Sequence, residues 1–258
     1  MTVINMLLPW RIAKIWLIIY PLKEGLRLMD TNIRQDAYDQ IKYKIIHFHY
    51  LPGQKISEKM ISTTLNLGRT PVREALIRIE REGLIEVVPQ SGTYVTTINI
   101  DSVQNGRFVR ECLEPNVMLD AMTKLTKEHI DNLNKNMEEQ EEAAELTQTD
   151  RFFDLDQAFH GELYEAAGKQ EIWQWLQLNN TQLNRFRRLR LKVPGLNWAT
   201  LLKQHEEIFS AIKRQDVDDL SYLMHAHLHL MLVEKETVMR YYPDYFSSNS
   251  EAWAIFLI

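Results

Sequence analysis

The chain has 258 residues, 45% hydrophobic and 25% charged, with a formal net charge of −5. That length carries one small and one medium domain with a real core, and a single cysteine, Cys112, excludes a disulfide framework within one chain and fits a reducing cytoplasm. Net acidity argues against a simple nucleic-acid clamp, yet residues 31–98 hold nine Lys/Arg against seven Asp/Glu and residues 99–258 hold seventeen against twenty-six. The first part can therefore approach a polyanion that repels the second.

Residues 1–30 differ in texture from the rest of the chain. Trp10, Ile12 and the run Ile15–Tyr20 are apolar, with Arg11 and Lys14 among them. A membrane span needs about 20 apolar residues, so no membrane segment is expected. A signal peptide would need a small-x-small cleavage site, and the stretch has none after its apolar run. It reads as a non-native or disordered extension, with translation beginning at Met29.

From residue 31 the pattern tightens. Ile41, Ile45 and Phe48 form one stripe of a first helix over Tyr38–Phe48, and Leu51-Pro52-Gly53 breaks the chain. Ser57 is a good N-cap for a second helix, Glu58 to about Leu65. The turn Leu67-Gly68 opens a third, carrying Arg69, Thr70 and Arg73, with Pro71 where a missing N–H costs nothing. Ala75, Leu76 and Ile79 lie behind. Arginines at the N-terminal end suit a helix that enters the DNA major groove, although a plain amphipathic surface helix has the same pattern. Gly83 stops this helix. Leu84–Val88 and Gly92–Thr96 are β-branched runs joined through Pro89-Gln90-Ser91-Gly92, a hairpin whose turn reaches a phosphate or the minor groove. Together they make a winged helix-turn-helix over residues 31–98.

The strings Pro52-Gly53, Ile56-Ser57-Glu58, Arg69-Thr70-Pro71-Val72-Arg73-Glu74-Ala75-Leu76, Glu82-Gly83-Leu84 and Gly92-Thr93-Tyr94-Val95 resemble the DNA-binding domain of GntR-family bacterial transcription regulators, over roughly residues 34–98. The resemblance implies operator contacts from Lys59, Arg69, Thr70 and Arg73, and from the wing glycine, Gly92. Gly68 departs from it, standing where the family carries a Ser or Thr that can cap the helix and touch phosphate. Glycine is tolerated at an N-cap, so the helix is expected with one contact fewer.

After Asn99 the strand signals end and six helices are expected: Asp101 to about Leu125, Lys127–Leu146 capped by Thr126, Asp150–Ala167, Gln170–Leu191, Trp198–Gln215, and Asp216 to about Tyr241. With short connections they form an antiparallel all-α bundle over residues 99–241, then a tail, 242–258. The fold class is mainly α: a winged helix-turn-helix, then a helical bundle.

Asp156 and His160, four apart, stack on one helix face with Phe153, Leu163 and Ala167. His205 shares a stripe with Leu201, Ile208 and Ile212, and His227 with Leu220, Met224 and Met231, whereas His225 and His229 fall on another face. A lone histidine on an apolar stripe is more often a core residue with a satisfied hydrogen bond. An inward carboxylate is harder to dismiss, because a buried charge needs a partner or a metal. One Asp with three His is a sensible ligand set for Zn, Ni, Mn or Fe(II), with positions left open.

This spacing resembles the FCD ligand-binding domain of the FadR subfamily of GntR regulators, over about residues 101–240, and six helices rather than seven look like its VanR-type branch. The resemblance implies a divalent metal held by Asp156, His160, His205 and His227, a small carboxylate effector on its open positions, and Arg110 facing that carboxylate. It argues against acyl-CoA, which members lacking the histidines bind. Arg185, Arg187, Arg188 and Arg190 cannot all face one cavity, so most are expected in solvent. The expectation is a homodimeric, cytoplasmic bacterial repressor, not an enzyme, on a pseudo-palindromic double-stranded operator. Two other readings stand beside it. One is a metal-dependent enzyme acting on a small organic acid, with Glu162 or Glu206 as base. The other is a DNA-binding protein whose metal is purely structural.

Overall fold

The computed structural model describes residues 32–247. The extension expected over 1–30 and the final stretch 248–258 lie outside the described residues. The described residues divide into two compact units, one formed by residues 32–43 with Ser57–Ile79, the other by Lys44–Ile56 with residues 80–247.

The first unit is helical. Helix α1 (32–46) starts earlier than its apolar stripe, because Gln35 and Gln40 donate to Asp39 and Asp36 one turn away, both at 2.9 Å, and extend the helix through a polar segment. Helix α2 (Glu58–Leu65) is capped by Ser57, whose Oγ accepts from the Met60 N–H at 3.2 Å, and is closed by Asn66 in the left-handed region. Helix α3 (Arg69–Arg81) buries Val72, Ala75, Leu76 and Ile79. It is tied to α1 by Arg78, which lies 3.7 Å over the Tyr38 ring and donates to Gln35 at 2.8 Å. Gly68 precedes α3, and the helix forms without a side chain there.

The second unit begins with a small sheet. Strands β1 (Lys55–Ile56), β2 (Ile85–Val88) and β3 (Gly92–Val95) are antiparallel in the order β1-β3-β2, with Val88 opposite Gly92 and Lys55 opposite Tyr94. The hairpin lies where its β-branched runs placed it. Strand β1 has two residues, too few for any alternation to announce it.

Seven helices come next: α4 (Ile100–Met122), α5 (Lys127–Glu145), α6 (Thr149–Ala166), α7 (Gln170–Asn179), α8 (Thr181–Arg190), α9 (Trp198–Arg214) and α10 (Val217–Tyr241). The expected count of six is corrected because the fourth helix breaks at Asn180. That side chain is buried where α8 meets α4: a Cβ on Gly106 would lie 2.9 Å from Asn180 Oδ1 and 3.3 Å from Leu183 Cβ. With seven helices, the count no longer supports the VanR-type branch. Helix α4 packs on α6, α8, α9 and α10, around a core of Met118, Ala121, Phe159, Leu163, Ile208 and Met224. After α10 the chain makes a 3-10 turn (Pro243–Tyr245) and Phe246 bridges back to Ile98, so this part of the expected tail is packed. Among the described residues no helix is long and apolar enough to cross a membrane.

Candidate metal and effector site

Arg69, Thr70 and Arg73 are all exposed along the first turns of α3, and Lys59 is exposed on α2. Arg73 Nε is 3.9 Å from Glu58 Oε1 in solvent, a loose pair that leaves the guanidinium available. Gly92, in the second unit, sits at φ 141°, and a Cβ there would meet Lys55 Cε at 2.6 Å. Glycine here therefore makes room for Lys55, whose Nζ lies 5.8 Å over the Tyr94 ring. Lys55 puts a cation beside the wing that sequence reasoning passed over; a Lys two residues after Pro-Gly was the available signal.

The other expected residues meet in the bundle. One ring nitrogen from each of His160, His205 and His227, on α6, α9 and α10, lies within 4.8 Å of the others, and all three side chains are buried. The ring nitrogens away from the cluster are held. His205 Nδ1 lies 3.0 Å from Gln140 Oε1, and His227 Nδ1 lies 3.0 Å from Gln204 Oε1. Gln140 is itself oriented, its amide N–H donating to Asn136 at 2.6 Å. An Nδ1–H given to an amide oxygen leaves the Nε2 lone pair bare, the tautomer that ligates metal. Neither nitrogen of His160, nor His205 Nε2, has a hydrogen-bond partner.

Electrostatics keep the rings neutral. Burial, then Arg110 and the other two histidines, holds His160 well below the ordinary range. Burial, then His205 and Arg110, does the same for His227. Burial takes His205 to about 4 against the opposing pull of Asp156. Three buried imidazoles with bare nitrogens turned toward one another are an unfavourable arrangement without a cation, so the residues fit a metal.

Asp156 lies at the edge of the cluster. Its Oδ1 is 3.6 Å from His205 Nε2, and its Oδ2 is ion-paired with Arg187. A second carboxylate, which sequence reasoning did not single out, is closer to His160: Glu114 Oε2 is 3.5 Å from its Nδ1, and Glu114 is fully buried. Arg110 holds Glu114 through Nε at 2.5 Å and Nη2 at 3.1 Å. Burial opposes the charge on Arg110, but the Glu114 carboxylate outweighs it and moves the pKa up.

Beside the histidines is a cavity of about 60 Å³, reached by His227 and Asp156 and by Arg107, Arg110, Arg187 and Arg190. The expectation that most α8 arginines are solvated is overturned: Arg185 and Arg188 are fully buried and Arg190 nearly so. The helix is enclosed on all sides, and its arginines point in different directions, each to its own acceptor. Arg185 donates to the Thr96 carbonyl at 2.7 Å, Arg187 to Asp156, and Arg190 to Glu234 at 2.6 and 2.9 Å. Arg188 pairs with Asp150 at 2.5 Å and bonds His47. Glu162 faces His129 at 2.8 Å and Asn132 at 3.1 Å, Glu206 is exposed, and neither lines the cavity.

Comparison with known proteins agrees with this architecture. The profile of the bacterial regulatory proteins of the gntR family matches residues 33–95, and that of the FCD domain matches residues 107–230. The chain is 33% identical over 220 residues to the HTH-type transcriptional repressor RspR of Escherichia coli (strain K12), covering 84% of this chain and 95% of that one. It is 30% identical over 221 residues to an HTH-type transcriptional regulator of Streptomyces ambofaciens, covering 85% and 92%. The solved structure of E. coli McbR/YncC superposes with a TM-score of 0.69 at 16% identity, over 81% of this chain and 98% of that one, a likeness of fold. With a helix-turn-helix in front and a histidine-bearing bundle behind, the chain belongs to the gntR family of bacterial regulatory proteins, as a DNA-binding transcription regulator with an FCD domain.

Proposed function

We propose that this regulator binds a pseudo-palindromic operator as a homodimer, and that a small carboxylate held at a divalent metal in the bundle sets its operator affinity. The observation that carries this reading is the cluster of His160, His205 and His227, neutral and bare at the nitrogens that face one another, with His227 at the cavity wall. Asp156 would complete the donor set; its 3.6 Å from His205 Nε2 is near the roughly 3.4 Å between neighbouring donors of four-coordinate zinc. A bound divalent ion supplies the positive charge and open coordination positions that draw a carboxylate.

The chain's own charges at the cavity nearly cancel. Arg107, Arg110, Arg187 and Arg190 pair with Glu111, Glu114, Asp156 and Glu234. The arginines therefore act as hydrogen-bond donors and as props for the carboxylates rather than as free cations, and Arg110 would offer the effector only its remaining Nη1. Helix α8 supplies a route outward. Arg187 and Arg190 reach the cavity, while Arg185 and Arg188 hold Thr96, just after the wing, and His47, just after α1. An effector that displaces Arg187 displaces both grips. On the DNA side, Lys59, Arg69, Thr70, Arg73 and Gly92 contact the operator. Tyr222 and Val233, eleven apart on α10 and both exposed, offer an outward face for the dimer. Repression as the sign of control is taken from the likeness to the repressor RspR.

The test is metal content and thermal stability. His205→Ala and His227→Ala should purify without metal while their metal-free operator affinity matches that of metal-stripped wild type. A carboxylate effector should raise the melting temperature only of metal-loaded protein. Full metal content in both variants would remove the site, and acid binding that survives chelation would separate the effector from the metal.

A further inference from the structure

The cavity also restricts what the effector can be. Its volume, about 60 Å³, suits a short acid better than a long-chain one.

The wall is mostly apolar. Phe152, Phe153, Leu201, Leu228, Leu230 and Met231 line the space, drawn from α6, α9 and α10. The four arginines that share it are already paired with carboxylates, Glu111, Glu114, Asp156 and Glu234. Among the donors left over, Arg190 Nη1 and Arg107 Nε are buried without a hydrogen-bond partner. Arg190 is itself 5% exposed, so that N–H has been withdrawn from water with nothing yet to receive it.

A polyhydroxylated acid brings a hydroxyl on nearly every carbon. Each would leave water for a wall made mostly of Phe, Leu and Met. A short branched or straight alkyl chain loses nothing by the same transfer and gains contact. One oxo or carboxylate oxygen, and not a series of hydroxyls, suits the unpartnered N–H groups of Arg107 and Arg190.

We infer that the effector is a short, apolar monocarboxylate of the branched-chain acid or 2-oxo acid type, with its carboxylate toward the histidines and its alkyl end against Phe153, Leu201 and Leu230. This rests on the proposed binding of a carboxylate at the metal. The apolar wall sets which acid is chosen; the histidines set that it is an acid.

The experiment is calorimetric titration of Zn²⁺-loaded full-length protein with 2-methylpropanoate, 3-methyl-2-oxobutanoate, glycerate, gluconate and decanoate, with 2-methylpropanamide as the uncharged control. The two short apolar acids should bind at least ten-fold more tightly than glycerate, gluconate or the amide. Leu230→Gln, at a partly exposed wall position, should weaken the alkyl acids at least five-fold and leave metal content unchanged. Tighter binding of glycerate or gluconate would overturn the inference while leaving a metal-bound carboxylate standing. Tighter binding of decanoate would overturn the preference for a short chain in the same way. Failure of every carboxylate to bind in a metal-dependent manner would overturn this inference and the proposed function together.

Discussion

His47 is a buried histidine that stays neutral in the folded chain. Burial, and then the Arg188 guanidinium beside it, lowers its pKa from 6.5 to about 3. The unfolded chain therefore takes up a proton that the folded one refuses, so this contribution to stability is complete above about pH 6.5 and is lost as pH falls toward 3. His47→Gln keeps an acceptor for Arg188 and removes the titration. Urea unfolding at pH 8 and pH 5 should show wild type losing stability on acidification and the variant losing less; parallel losses would place the effect elsewhere. On the DNA-binding side the proposed operator contact to test first is Arg73. It is 73% exposed and held only by the long contact to Glu58, so it contributes little to the fold. Arg73→Ala should leave the melting temperature unchanged and weaken operator binding by at least ~1 kcal/mol, the scale of one base contact. Equal affinities on operator DNA would take Arg73 out of the interface.

Helix α8 is the element that the sequence described least well. Its arginines looked like solvent residues, because nothing in Arg185–Arg190 reveals that Asp150, Asp156, Glu234 and the Thr96 carbonyl converge on them from four directions. Its start was equally hidden, since the break at Asn180 is decided by α4, about 75 positions earlier in the chain, where Gly106 lets the two helices meet. Gly106→Ala puts a methyl group 2.9 Å from Asn180 Oδ1 and 3.3 Å from Leu183 Cβ, and should cost about 1–3 kcal/mol in chemical denaturation. A neutral result would mean that the α4–α8 contact is slack. The helix-turn-helix, by contrast, was legible throughout, because its signals are local: Ser57 caps α2 and Gly83 (φ 69°) ends α3. The histidines were legible too, from their places on apolar stripes. Their supports were not. Gln140 and Gln204 meet their histidines only after folding, and Glu114 is a charged residue that nothing in α4's own pattern marks as buried.

At the scale of the molecule, the histidine cluster ties α6, α9 and α10 at one point, so metal should act as a cross-link on the bundle. At a free metal concentration a hundred times its dissociation constant, mass action gives about 2.7 kcal/mol of added stability. Melting of metal-loaded protein should therefore fall by several degrees on chelation, and melting of His205→Ala should not respond. Trp173, stacked 6.4 Å from His160, offers a fluorescence readout of the same event. A melting temperature blind to chelators would make the cluster a packing motif. The bundle also closes on itself. Ile98 donates to the Tyr245 carbonyl at 2.8 Å and accepts from Ser247 at 3.1 Å, with Phe246 set against Phe186 between them. The last described residues thus lie at the place where the chain enters the bundle, next to the wing. Phe246 therefore works as a latch at that doorway, and a change there would bear on the anchoring of the wing while every residue of α3 and of the histidine cluster stayed intact.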